Sequence, residues 1–264
     1  MAKGRTGMAL ALALLLGVAA GGAAAAEPAA GAVWTDPATG IVFVWVPGGR
    51  YEMGCRPGTE PCPPDEVPVH AVTVAGFWLS RTEITQGQWR RLMPTNPSSF
   101  KKGDDHPVDQ VHWEDARAFL ARLNHTGHGH FRLPTEAEWE YACRAGHADD
   151  PYCGGGDPKA VAWYINDTIR ARSTMPVAGK AANAFGLYDM SGNLWEWTED
   201  CWHESHAGAP ADGRARTDGA CLSRVLRGGS WGNYPAQLRA SERRSDTDVK
   251  CPFIGLRLAR DADG

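Results

Sequence analysis

The sequence predicts a mixed α+β domain with little regular structure, and three observations lead to this prediction. Apolar residues repeat at helical spacing only between residues 85 and 146. Short runs of β-branched and aromatic residues, typical of strands, lie on both sides of that region. With 31 glycines and 18 prolines among 264 residues, the chain is rich in turns but stays below the ~25–30% that marks low-complexity sequence.

Residues 1–26 have the pattern of a secretory signal peptide. Lys3 and Arg5 are followed by an apolar run over residues 8–18 and by alanines that end at residue 26. The run is shorter than the ~20 residues of a membrane-spanning helix, although a membrane anchor stays the alternative. We therefore expect a periplasmic or secreted protein with no membrane span after cleavage.

The rest of the chain is predicted to be a short lead-in, residues 27–41, and one domain over residues 42–262 without internal repeats. The full sequence has 27 basic and 31 acidic residues and a net charge of −4, which argues against a nucleic-acid-binding protein because such proteins normally carry a basic excess.

The first predicted elements are two strands and a helix. Residues 42–46 form a continuous apolar run before a Pro-Gly-Gly turn, and residues 70–79 alternate with β-branched and aromatic residues. Thr85 and Gln88 form a capping box that opens a helix, which Pro94 ends.

Two more helices follow. One covers residues 113–124, with one apolar face at spacings of 3, 4 and 7, made of Ala116, Phe119, Leu120 and Leu123. The other opens at the capping box of Thr135 and Glu138 and ends at Gly146. Residues 225–226 and 254–259 resemble strands, and residues 147–223 are predicted to be loops. Such a loop-rich half needs disulfides or bound cations to hold it.

All seven cysteines follow the predicted signal peptide, so in an oxidising compartment disulfides are expected, with one thiol left over. Two pairs are predicted because each brackets a loop-like segment: Cys55 with Cys62, and Cys201 with Cys221. The remaining three form at most one bridge, whose members the sequence leaves open: Cys143, Cys153 and Cys251. A cysteine-bound metal cluster is disfavoured, since no two cysteines have CxxC spacing.

Several long phrases carry a resemblance to a known family. In order they include FVWVPGGRYEMG at 43–54, FRLPTEAEWEYACRAG at 131–146, GLYDMSGNLWEW at 186–197, RVLRGGSW at 224–231 and IGLRLARD at 254–261. Together they resemble the formylglycine-generating enzyme family, also called the sulfatase-modifying-factor domain. The resemblance implies a C-type-lectin-like variant fold, α+β and loop-rich, which calcium stabilises.

A calcium site is implied within the DMSGNLWE segment. Asp189 and Glu196 flank a glycine turn, and hard cations prefer carboxylate and carbonyl oxygens supplied by a tight loop. The resemblance implies side-chain oxygens from Asp189 and Glu196 and carbonyl oxygens from Gly192 and Leu194; a solvated turn is the alternative. A second calcium site of the family would fall near Asn166, where this chain is shorter than the family pattern.

The family's catalytic pattern is broken. The resemblance implies a Cu(I) ion held by two cysteines that convert a sulfatase cysteine to an aldehyde with molecular oxygen, and soft Cu(I) prefers thiolates. Those positions read Asn233 and Leu238, and Gln237 stands where a tyrosine is expected, while Ser230 of the GGSW phrase is retained. Copper chemistry is therefore not expected.

Other polar residues are candidates for the same groove. Glu83 is implied to lie near it, with a buried structural carboxylate as the alternative. Glu242 lies in a charged cluster with Arg239, Arg243 and Arg244 that either lines the groove or is a solvated face. The candidate catalytic set is thus Ser230, Asn233, Glu83 and Glu242.

The histidines of the HTGHGH phrase are predicted to form an exposed polar loop rather than a metal triad. They are His125, His128 and His130, and they lie in a glycine-rich segment that does not preset three converging imidazoles.

These observations predict an exported oxidative or maturation factor, acting on a polypeptide or small molecule without copper-cysteine chemistry. One alternative is a non-catalytic, calcium-stabilised lectin-like binding module, and another is a true formylglycine-generating oxidase. Convergence of Glu83, Ser230 and Glu242 in one pocket would favour an enzyme. A filled surface between Ser230 and Leu238 would favour binding.

Overall fold

The structure is a computed structural model that describes residues 1–2, 4, 27–56, 62–247 and 250–262. The predicted signal peptide, residues 1–26, lies almost wholly outside the described residues. Among the residues that are described, no helix combines the length and the hydropathy needed to cross a lipid bilayer.

Eleven strands, five α-helices and two 3₁₀ helices, Pro64–Glu66 and Pro235–Leu238, make up the described regular structure. The strands are β1 Val33–Thr35, β2 Val42–Val46, β3 Gly49–Met53, β4 His70–Val74, β5 Phe77–Ser80, β6 Phe131–Arg132, β7 Trp195–Cys201, β8 Arg224–Arg227, β9 Arg243–Asp246, β10 Ile254–Gly255 and β11 Ala259–Asp261. The helices are α1 Gln86–Leu92, α2 Trp113–Asn124, α3 Glu136–Arg144, α4 Pro158–Val161 and α5 Ile165–Thr168.

The strands form three sheets. The five-stranded sheet has the order β1-β2-β5-β11-β6, and the four-stranded sheet has the order β10-β7-β8-β9. The pair of β10 and β7 is parallel, and the other ladders are antiparallel. β3 and β4 form a separate two-stranded sheet, against which α3 packs.

The three predicted helices are confirmed. α1 and α3 both begin at the predicted capping boxes, in which the threonine accepts a backbone bond and the Gln88 or Glu138 side chain bonds back to the cap. α2 buries the four apolar residues that define its predicted face. Local hydrogen bonds and helical periodicity suffice to specify these elements.

Two strand predictions need correction. The single strand predicted over residues 70–79 is two strands, β4 and β5, which belong to different sheets. The chain turns at Gly76, where a Cβ atom would lie 2.5 Å from the ring of Trp45. The strand predicted over residues 254–259 is likewise divided between β10 and β11, in two different sheets.

The packed domain also contains strands where loop or lead-in was predicted. β1 lies within residues 27–41 and pairs with β2, so the domain begins before residue 42. The prediction that residues 147–223 are all loop is wrong, because β7 runs through the centre of the four-stranded sheet. Six of its seven residues are buried, so it lacks the alternation by which a half-buried strand is recognised.

Three disulfides link the described residues. The two predicted pairs, Cys55–Cys62 and Cys201–Cys221, are present. The bridge that the sequence left open joins Cys143 to Cys153, and Cys251 is a free thiol of intermediate exposure.

Candidate functional site

The GGSW turn, residues 228–231, is closed by Asn233. The Ser230 backbone N–H and hydroxyl both donate to Asn233 Oδ1, at 2.9 and 2.7 Å. The Asn233 N–H donates back to the Ser230 carbonyl at 3.0 Å, and the Asn233 carbonyl accepts from Ile165 of α5. The side chain at the position that the resemblance assigns to the first sulfur ligand therefore closes its own loop.

The second sulfur position is filled by an apolar side chain. Leu238 is fully buried and packs in a small cluster with Val161, Ala162 and Tyr164. It also packs closely on Gly229, where a Cβ atom would lie 2.5 Å from a Leu238 methyl carbon. An amide oxygen and an isobutyl group offer no soft ligand, so the residues present do not fit Cu(I).

Glu83 lies behind this turn and is fully buried. Its carboxylate accepts bonds from the Asn193 side-chain amide and from the Leu194 N–H, both at 2.8 Å. The Asn193 carbonyl in turn accepts the Trp231 N–H. Burial, together with the negative charges of Asp189 and Glu196, raises the pKa of Glu83 well above its usual value. Glu83 thus supports the site from the interior.

Glu242 is the candidate residue that ionises near neutral pH. Burial raises the pKa of its carboxyl to about 7, although the paired Arg239 guanidinium opposes the shift. Arg239 also binds the buried Glu66 carboxylate through two bonds of 2.6 and 2.7 Å. The Glu242 side chain keeps 19% exposure, so this carboxyl can exchange a proton with bound or bulk water.

The four candidate residues form two groups. Ser230 and Asn233 bond directly to each other, and Glu83 reaches them through Asn193 and Trp231. The described polar contacts of the Glu242 side chain run instead to Arg239. The convergence of Glu83, Ser230 and Glu242 that would favour an enzyme is not among the described contacts.

Arg243 and Arg244, the other members of the predicted charged cluster, have structural contacts. The buried Arg243 guanidinium forms a two-bond pair with Glu136, at 2.6 and 2.9 Å. Arg244 lies 5.9 Å from the centre of the Trp195 ring. Arg243 is therefore packed in the interior rather than on a solvated face.

The predicted calcium loop shows one free ligand position. Asp189 is buried with a φ of 56°, and its Oδ2 accepts the Ala178 N–H at 2.6 Å. Its Oδ1 is buried and has no hydrogen-bond partner among the described residues. Burial raises the pKa of Asp189 to about 6. An orphaned carboxylate oxygen fits a hard cation.

The side chains of the other predicted calcium ligands, Glu196 and Asn166, already have hydrogen-bond partners within the protein. The Glu196 carboxylate already accepts bonds from the Arg257 guanidinium, at 2.8 to 3.1 Å, and from the Trp139 indole N–H at 2.6 Å. At the second predicted site, the Asn166 amide donates to the Tyr164 hydroxyl, and the neighbouring Asp167 pairs with Lys180. Among the described residues, no group of three or more His, Cys, Asp or Glu side chains is placed to hold a metal ion.

The HTGHGH histidines point to different partners. His128 contacts Asp36 at 3.0 Å, His130 contacts Asp261 at 2.6 Å, and His125 caps the end of α2. The imidazoles therefore contact separate parts of the fold, among them Asp36 after β1 and Asp261 of β11, and do not converge on one point.

The sequence reasoning missed the residues that connect the site. Asn193 bridges Glu83 to the GGSW turn, Arg257 neutralises Glu196, and Glu66 holds Arg239. Asn193 and Arg257 lie inside the quoted phrases DMSGNLWE and IGLRLARD, which were the available signals. Arg257 and Glu66 are far from their partners in sequence, so no spacing indicated these pairs.

Comparison with known proteins identifies the class to which this fold and site belong. Residues 30–262 match the sulfatase-modifying factor enzyme 1-like domain, and the chain belongs to this family. This confirms the expected loop-rich α+β fold of the formylglycine-generating enzyme type.

Individual relatives extend over most of the chain. The formylglycine-generating enzyme of Streptomyces coelicolor is 30% identical, over 91% of this chain and 95% of its own length. The chaperone protein LppX of Paenibacillus barcinonensis is 31% identical, over 72% of this chain and 81% of its own length. The structure of PvdO from Pseudomonas aeruginosa is 32% identical with a TM-score of 0.80, covering 89% of this chain and 99% of that one.

Proposed function

We propose that this protein is an exported maturation factor that acts on a polypeptide or small-molecule substrate without thiolate-bound copper. The observation that carries the proposal is the pair Asn233 and Leu238. One closes its loop through Ser230 and the other fills an apolar cluster. Neither side chain offers a sulfur ligand, so any reaction at this turn would proceed without thiolate-bound copper.

Glu242 supports a reaction that includes a proton transfer. A general base works best when its pKa is near the working pH, and the pKa of this partly buried carboxyl is about 7. Arg239 fixes its orientation, since that guanidinium is held by Glu66 from the other side. We assign Glu242 as the proton acceptor, ionised above and neutral below about pH 7.

The copper part of the proposal is tested by metal titration of the purified protein. We expect no stoichiometric Cu(I) binding in the wild type and no oxygen uptake with a cysteine-containing sulfatase peptide. The double variant N233C/L238C is expected to gain Cu(I) binding, because it restores two thiols at the family positions. Oxygen consumption by the wild type that depends on copper and on the peptide would instead establish the formylglycine-generating activity.

The maturation part is tested in a strain that lacks this gene. Extracellular and periplasmic proteins and metabolites are compared by mass spectrometry after complementation with wild type, E242Q or the matched surface variant E114Q. We expect a mass change that wild type and E114Q restore and E242Q does not. Full restoration by E242Q would remove Glu242 from the reaction.

A non-catalytic binding module is the second candidate, and the filled position at Leu238 is the observation that favours it. The fully buried Glu83 adds to it, because that carboxylate is sealed from any ligand. If the complemented strain shows binding partners in crosslinking but no mass change in any product, this second function replaces the first.

Export and calcium are further parts of the proposal. Cleavage after residue 26 is tested by mass measurement of the protein recovered from the periplasm or medium.

For calcium, Asp189 supplies the orphaned Oδ1 and the resemblance adds the Gly192 and Leu194 carbonyls. When bound, the ion would supply positive charge to a buried, acid-rich loop. Glu196 would act as a nearby negative charge, because its oxygens are taken by Arg257 and Trp139.

A further inference from the structure

The free edge of β3 borders a groove that lies apart from the GGSW turn. In the described part of the chain β3 pairs with β4 alone, so its second edge carries no strand. A groove of about 500 Å³ runs along it, lined by Gly49, Arg50, Tyr51, Glu52, Arg56, Tyr141, Arg144, Gly146 and Ala148. None of these residues belongs to the candidate catalytic set of Glu83, Ser230, Asn233 and Glu242.

The lining shows that the edge of the strand, rather than one of its faces, borders the groove. Side chains of a strand alternate between its two faces. Four successive residues of β3, from Gly49 to Glu52, line the groove. Both faces contribute, and this is possible only where the groove follows the strand edge.

The register indicates which backbone groups face the groove. Arg50 lies opposite Thr73 in the β3–β4 ladder, and the Thr73 N–H donates outward to the Ala211 carbonyl. Opposite residues of an antiparallel pair either exchange both hydrogen bonds or make neither. The N–H and C=O of Arg50 therefore point away from β4 into the groove, and the two-residue period places those of Glu52 the same way.

The opposite wall is formed by the end of α3 and the loop after it. The Arg144 guanidinium donates to the Ala148 and Gly54 carbonyls, both at 3.1 Å, and so fixes this wall to the end of β3. The Tyr51 and Tyr141 rings lie 5.3 Å apart, and their hydroxyls are bonded to backbone carbonyls. The tyrosines thus offer ring surface rather than free hydroxyl groups.

The charges at the groove favour an anionic occupant. Among the described residues, Arg50 is exposed and forms no ion pair, and the Arg56 guanidinium pairs with Asp149 at 3.4 Å, whose side chain is 96% exposed. Glu52 is the one acid in the lining. The lining therefore has three arginines and one glutamate, although the net charge of the whole chain is −4.

We propose that the free edge of β3 binds an extended, acidic segment of another polypeptide as an added strand. Main-chain hydrogen bonds to Arg50 and Glu52 would supply affinity, and glutamate or aspartate side chains on the segment would pair with Arg50 and Arg56. Strand addition to an exposed sheet edge is a recurring mode of peptide recognition. A segment bound in this way would hold a polypeptide partner on the protein independently of the GGSW turn.

The test uses fluorescence anisotropy with the full mature protein and a labelled hexapeptide of alternating valine and glutamate. E52Q and E52P form a matched pair, because both remove the same charge but only proline removes the outward N–H. Proline is tolerated on an edge strand where its nitrogen faces away from the ladder. We expect E52Q to bind at least as tightly as wild type and E52P to bind at least tenfold more weakly.

Thermal melting checks that E52Q and E52P are folded. Two further peptide probes are used with wild-type protein, so their results do not depend on the folding of a variant. Two hexapeptides carry N-methyl groups on alternate residues, one in each register, so that each has the N–H groups of one peptide edge blocked. At least one of them is expected to lose binding to wild-type protein. A peptide with lysine in place of glutamate is expected to bind at least tenfold more weakly. Equal binding by E52P and E52Q, both folded, or full binding of both N-methyl registers, would overturn strand addition.

Discussion

Two clusters of buried carboxylates in this protein have opposite charge balance. The first, here called the balanced cluster, joins Glu136 and Glu140 to Arg144, Arg227 and Arg243. The second, the acid-rich cluster, places Glu83, Asp189 and Glu196 around the single guanidinium of Arg257. All five carboxylates are nearly or fully buried.

The pKa values of Glu136 and Asp189, one from each cluster, are shifted in opposite directions. Burial alone would raise the pKa of Glu136, but Arg243 and Arg227 overcome it and hold the pKa at about 2. In the acid-rich cluster, burial raises the pKa of Asp189 to about 6, and Arg257 only partly opposes it.

The difference shows what completes a buried site. In the balanced cluster each carboxylate has arginine partners within the chain, so both acids stay ionised. In the acid-rich cluster Arg257 pairs with Glu196, and Asp189 Oδ1 has no hydrogen-bond partner among the described residues. This cluster therefore needs either a proton or an added cation, and calcium is our proposal for the cation.

The largest expected effect comes from removing the one positive charge of the acid-rich cluster. R257M leaves Glu196 buried without its partner, and breaking a buried ion pair in this way typically costs about 3–5 kcal/mol. Urea unfolding of R257M against R117M measures it, since Arg117 is an exposed arginine whose loss is expected to cost under about 1 kcal/mol. Similar unfolding free energies for the two variants would contradict the comparison.

The next effect is a loss of stability with rising pH in calcium-free buffer. Because the folded pKa of Asp189 is about 6 and its unfolded value is near 3.8, the folded state favours the protonated form. This contribution is fully present below about pH 4 and is lost as pH rises through about 6, by up to about 3 kcal/mol. Chemical unfolding at pH 4 to 7 measures it, and D189N is expected to flatten that part of the curve; an unchanged D189N curve would assign the loss to other groups.

The smallest expected effect is stabilisation by calcium. At a concentration 100 times its dissociation constant, a bound ion stabilises by about 2.7 kcal/mol. We expect calcium to raise the melting temperature at pH 7.5, less at pH 5 where Asp189 is protonated, and not at all in D189A. Magnesium at equal concentration is the control, and an equal calcium shift in D189A would place the ion elsewhere.

The sequence predicted the local parts of this structure better than the long-range parts. The capping boxes at Thr85 and Thr135 are short-range hydrogen-bond patterns, so the sequence was enough to place both helices. By contrast, β4 and β5 are separated by two residues yet join different sheets, which only the packing of Gly76 on Trp45 explains.

The same limit applies to the candidate site. The substitutions Asn233 and Leu238 were visible because they interrupt a long quoted phrase. The pairing of Glu196 with Arg257 spans 61 residues, and that of Glu66 with Arg239 spans 173. No spacing rule relates such partners, because their proximity is a result of the tertiary fold.

The position of β11 has a consequence for how the chain is made. This strand ends at residue 261, yet it lies between β5 and β6 in the interior of the five-stranded sheet. Translation starts at the N-terminus, so β5 and β6 lack the strand that lies between them until residues 259–261 have been made. Closure of the sheet therefore awaits synthesis of residues 259–261, and a nonsense codon between β6 and β11 leaves the edges of β5 and β6 that face β11 without a partner.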